Sequence, residues 1–245
     1  MRVAYGVCVT LFAALLVARG AEGPSSFTAG NQAYEQGKFA EAAVHYRAAI
    51  TNGLATEGVW FNLGNAEFRA GQLGRAIVAY RRAEQISPRD SALRANLQFV
   101  RKKATGEDEP RIAVARQLIR FATPNEWFVL ASASLGLIFV TLTIAELRGV
   151  RAGRGTVFSL VLFAACLSGA AAGSYYDRNV RREGVIIAKQ SAVRFGPIEV
   201  SQTAFQLNDG AEVHVADATT EWWQVRDATG RIGWAKRGDV ALVSP

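Results

Sequence analysis

Four asparagines recur at two fixed places: Asn31 and Asn65 stand 34 residues apart, and so do Asn62 and Asn96. A carboxamide donates and accepts at once, so asparagines in a row along a groove suit the capture of an extended peptide backbone. The competing use is local, because Asn also caps and bridges helix turns. Phe195, Trp222 and Trp234 form a second candidate, an aromatic groove, against the reading in which these rings only close a small core. Catalysis has less to draw on. His45 and His214 fall in separate segments, and Cys8 and Cys166 both sit inside apolar runs, so neither a disulfide framework nor a metal site follows from them. GxSxG, HExxH, P-loop and GxGxxG patterns are absent, and no enzyme activity, cofactor or metal is expected.

The elements that carry the asparagines are legible from a period. Residues 30–50 and 64–84 align at an offset of 34: Gly30 with Gly64, Asn31 with Asn65, Gly37 with Gly71, Ala42 with Ala76, Tyr46 with Tyr80, Ala49 with Ala83. This succession is similar to the tetratricopeptide helix–turn–helix, and Trp60, Leu63 and Pro88 occupy further places of that pattern. Gly64 would let the second helix (about 73–86) approach the first (about 59–70), with Gly71 breaking the chain between them. Ala76, Tyr80 and Ala83 then form one packing stripe. The expectation is a repeat domain over 22–108, with repeats at about 23–56 and 57–90 and a polar capping helix at 91–103.

The formal charge of +7 is unevenly placed. Residues 22–110 carry +1 and residues 183–245 carry −2, whereas residues 111–182 carry +6 beside two apolar runs. Neither polar segment has the basic surface of a nucleic-acid binder, so no nucleic-acid partner is expected. The runs Trp127–Ala145 and Gly155–Tyr176 are uncharged and each reaches roughly 30 Å as a helix, the thickness of a bilayer core. They are expected to cross a membrane over 126–147 and 156–176. The joining loop, 148–155, holds three arginines and suits the cytoplasmic side. Residues 1–21 read as an export signal, cleaved or retained, and 109–125 as an amphipathic linker helix on the membrane surface. The signal and the parity of two spans place both polar domains outside the cytoplasm.

After Arg182 the pattern changes to short β-branched and aromatic runs, at 185–188, 211–215, 223–226 and 232–235, separated by turns such as Asn208-Asp209-Gly210. A small barrel over 183–245 is expected. Strand alternation puts Trp223 inside with Val225, and Trp222 outside. The succession Leu207-x-x-Gly210-x-x-Val213-x-Val215, Trp222-Trp223-x-Val225, Gly230-x-x-Gly233-Trp234-Ala235 resembles the bacterial SH3 domain.

The expected fold class is a multidomain membrane protein: an α-helical tetratricopeptide solenoid, a transmembrane helix hairpin and a small all-β SH3-like barrel. Together with the export signal and the GNAEF wording at 64–68, this order resembles the BatE proteins of the Bat aerotolerance operon. The resemblance implies a non-enzymatic envelope scaffold. Its partners would be other Bat membrane proteins with von Willebrand factor A domains and a MoxR-type ATPase, in a setting of oxygen tolerance. The alternative function is peptidoglycan binding through the SH3 domain.

Overall fold

A computed structural model describes residues 23–106, 114–149 and 153–243. The expected export signal lies outside the described residues, as do 107–113 of the linker and 150–152 of the basic loop. The chain divides into two compact units, one made of the segments up to Pro110 and from Arg182 onward, the other of Arg111–Arg181.

In the first unit, helices α1 (23–35), α2 (Phe39–Thr51), α3 (Glu57–Arg69), α4 (Leu73–Ile86) and α5 (Ser91–Thr105) form the repeat region. Each repeat is a helix pair whose turn ends on a left-handed glycine, Gly37 at φ +74° and Gly71 at φ +78°. The pairs close on one another through a glycine facing a tyrosine. A Cβ at Gly30 would lie 2.6 Å from the Tyr46 ring, and one at Gly64 the same distance from Tyr80. Ala42, Tyr46 and Ala49, then Ala76, Tyr80 and Ala83, are buried as two copies of one stripe. Asp90 caps α5 by accepting the Leu93 N–H.

The small β domain of this unit is one seven-stranded antiparallel sheet. Its strands are β1 (Glu183–Ile186), β2 (Gln190–Arg194), β3 (Thr203–Asn208), β4 (Glu212–Ala218), β5 (Trp222–Arg226), β6 (Ile232–Lys236) and β7 (Val240–Leu242), in the order β3-β2-β6-β5-β4-β1-β7. Ile186, Val193, Val213, Val215, Trp223, Val225 and Ala235 form its core. Strands β2, β3 and β7 are additions to the four runs legible in the sequence. Val185 and Val243, at the β1 and β7 edge, belong instead to the cluster of Ile77, Tyr80, Leu93, Leu97 and Val100, so the sheet edge and helices α4 and α5 share one hydrophobic core.

The second unit holds α6 (Val114–Arg120), α7 (Pro124–Leu147) and α8 (Arg154–Tyr175), the last continued by a short π-helix, Tyr176–Val180. Helix α7 starts on a capping box: Thr123 Oγ1 accepts the Glu126 N–H, and the Glu126 carboxylate accepts the Thr123 N–H at 2.8 Å. Both α7 and α8 are long and apolar enough to span a membrane, and their large side chains, Phe128, Phe139, Phe158 and Phe163 among them, stay exposed. Helix α6 lies along α8: Ile119 approaches Gly173, and Arg120 and Arg116 reach the buried Asp177 carboxylate with Nε at 2.5 and 3.4 Å.

Candidate functional site

The first helix of each repeat and helix α5 present the asparagines to one side of the array. Tyr46 donates its hydroxyl proton to Asn31 Oδ1 at 2.8 Å, and Asn62 Nδ2 approaches the same oxygen at 3.5 Å. One repeat later the contacts recur: Tyr80 donates to Asn65 Oδ1 at 2.6 Å, and Asn96 Nδ2 lies 3.4 Å from it. The 34-residue period therefore builds a ladder of Asn–Tyr–Asn sets. The structure brings Asn31 together with Asn62, and Asn65 with Asn96. Asn31, Asn62 and Asn65 line a cleft of about 120 Å³ with Tyr34, Glu35 and Tyr46.

The phenols are held as donors. Burial, reinforced by Tyr34 and Glu35, pushes the Tyr46 hydroxyl up to about 12, and burial raises Tyr80 as well. Local bonding thus occupies the carbonyl oxygens of Asn31 and Asn65. It leaves their carboxamide N–H groups, and the carboxamide oxygens of Asn62 and Asn96, without a partner among the described residues. Each rung can offer both donors and an acceptor, the complement of a peptide group. The tyrosines were legible in the sequence only as packing residues. Their second role was signalled by spacing, since Asn31 to Tyr46 and Asn65 to Tyr80 are both 15 residues.

The aromatic set of the β domain differs from the expectation at one residue. Trp223 faces the core with Val225, as alternation requires, and Trp222 lies on the opposite face beside the Gln224–Trp234 pair. Trp222 is nevertheless only 4% exposed, so it does not offer an open ring. Arg194 and Lys236 sit over it at 6.0 and 5.9 Å, and Glu199 pairs with both cations. Alternation fixes the face of a side chain but says nothing of what a neighbouring loop lays over it. Trp234 is half-buried, while Phe195 is 69% exposed.

Residues 27–91, from within α1 to the first residue of α5, match the tetratricopeptide repeat family. No curated protein matches the chain. Tetratricopeptide repeats are protein–protein interaction scaffolds, and the matched residues contain Asn31, Asn62, Asn65 and both ladder tyrosines.

Proposed function

We propose that the chain is a two-pass scaffold of the bacterial cytoplasmic membrane whose repeat cleft holds an extended segment of a partner protein. The observation that carries this is the repeated Asn–Tyr–Asn rung. Its internal bonds orient the carboxamides while leaving groups that match a peptide backbone. In this reading the repeat and β domains lie outside the cytoplasm and the arginine loop inside. The order of segments points to Bat-type partners, membrane proteins with von Willebrand factor A domains and a MoxR-type ATPase, in an aerotolerance complex.

The test uses the whole chain in detergent. Replacing Asn62 and Asn96 together by Ala removes two carboxamides and leaves the Tyr46–Asn31 and Tyr80–Asn65 bonds in place. At about 1 kcal/mol for each lost hydrogen bond, capture of partner proteins from solubilised membranes should fall roughly thirtyfold. The melting temperature should stay within a few degrees of the parent. Unchanged capture would remove the cleft from the function.

A second reading, wall binding through an SH3-like β domain, draws on the loop after β2, where Phe195, Ile198 and Val200 are exposed. Together with Trp234 these would hold a peptidoglycan peptide, with Trp222 as a buried floor. Sedimentation of the whole chain with purified wall, lost on Phe195→Ala, is the result this reading requires.

A further inference from the structure

The repeat carries an ion pair of its own. Arg47 on α2 meets the Glu67 carboxylate on α3, at the contact between consecutive repeats. Thirty-four residues later the same positions hold Arg81 on α4 and Arg101 on α5. The carboxylate has become a second guanidinium, and both side chains are buried, with 6% and 5% of each residue exposed. Glu84 on α4 meets Arg81 at 3.0 Å, but one carboxylate does not balance two buried guanidiniums, and the pair calls for a further acid.

The β domain supplies it. Glu212 of β4 accepts from Arg101 Nε at 2.5 Å and from Nη2 at 3.1 Å, and it lies 3.8 Å from Arg81 Nε. Glu183 of β1 pairs with Arg81. Other departures from the repeat fall on the same face. Ala40 of the first repeat becomes Gly74, where a Cβ would lie 2.1 Å from the Ile186 carbonyl oxygen. Glu41 in the first turn of α2 becomes Arg75, so α4 starts without an acid, and its N-cap Gln72 makes no capping bond. Asp209, in the turn between β3 and β4, takes that place by accepting the Leu73 and Gly74 N–H groups at 3.1 and 2.9 Å. Arg82 donates to the Leu242 carbonyl at 3.1 Å.

We infer that the β domain is the terminal cap of the repeat array: it occupies the face on which a further repeat would stack, and the two fold as one cooperative body. The partner of that solenoid end is this chain's own set of β-domain acids, Glu183, Asp209 and Glu212.

The experiment is thermal unfolding of the whole chain in detergent, followed by hydrogen exchange resolved to peptides. Glu212→Arg alone should lower the midpoint and raise exchange at least tenfold in α4 and α5, far from the substitution in sequence. The charge swap Arg101→Glu with Glu212→Arg should recover most of the loss. Asp209→Ala should raise exchange at Leu73 and Gly74. The inference is overturned if Glu212→Arg raises exchange only within the β domain. It is equally overturned if the swapped pair shows the sum of the two single losses, or if the parent's helices and strands unfold in separate transitions.

Discussion

Glu212 has one environment folded and another unfolded, and the difference makes the end of the array sensitive to acid. Burial works to raise its carboxyl, but Arg101 and Arg81 outweigh both that and the repulsion of Glu183, and they hold it below the ordinary range. A carboxylate depressed in the folded state adds stability above its unfolded value, about 4.3, and loses it as pH falls through the folded value. Asp209 runs the other way. Burial raises it despite the Gly74 and Leu73 N–H bonds, so its protonation on acidification favours the folded form. The test therefore compares two proteins, parent and Glu212→Gln. The gap between their melting temperatures should be widest near neutrality and narrow progressively as pH falls below the unfolded value, about 4.3; a gap that is constant with pH contradicts the assignment. None of this was legible from the residues one at a time. Gly64 and Tyr80 were, because a period repeats them and sterics gives the reason. The burial of Trp222 was not, because it depends on Arg194 and Lys236 and on charges no alternation pattern records.

Among the elements, α6 shows how a seven-residue helix is held by its neighbours. Arg116 and Arg120 converge on Asp177, Trp127 Nε1 donates to the Ile119 carbonyl at 3.0 Å, and Arg178 Nη2 donates to the Ala122 carbonyl at 3.2 Å. Ile119 and Ala122 turn toward α8, while Val114, Leu118 and Phe121 stay exposed. Asp177→Ala removes the acid between two arginines, costing about 1–3 kcal/mol of local stability. Tryptic cleavage after Arg116 and Arg120 should then run at least several-fold faster in the detergent-solubilised chain, and an unchanged rate would mean that the ion pairs do not hold the helix. The repeat helices and the two apolar helices were readable because their patterns run for a dozen residues or more. Strands β2 and β3 were missed because Gln190-Ser-Ala-Val-Arg194 and Thr203-Ala-Phe-Gln-Leu-Asn208 are half polar, although they are no shorter than β5 and β6, which were read. What lets β2 close on β6 is Gly233, where a Cβ would lie 2.6 Å from Val193 Cγ1 and 2.8 Å from the Arg194 carbonyl oxygen.

At the scale of the molecule, the proposed scaffold makes two demands, on sidedness and on the cleft. Two spans return the chain to its starting side, so alkaline phosphatase fused after Pro245 should be active and a fluorescent protein there dark; the opposite result would place the β domain inside. The cleft is tested most directly in living cells, by a photo-crosslinking residue placed at position 62 of the whole chain. Peptide capture by the ladder should give a discrete adduct with a membrane protein bearing a von Willebrand factor A domain. That adduct should fade when Asn65 and Asn96 are replaced by Ala, and it should be absent from a control at Val44, an exposed position on α2. Equal adducts from positions 44 and 62, or an adduct at 62 that survives both substitutions, would contradict peptide capture by the asparagine ladder.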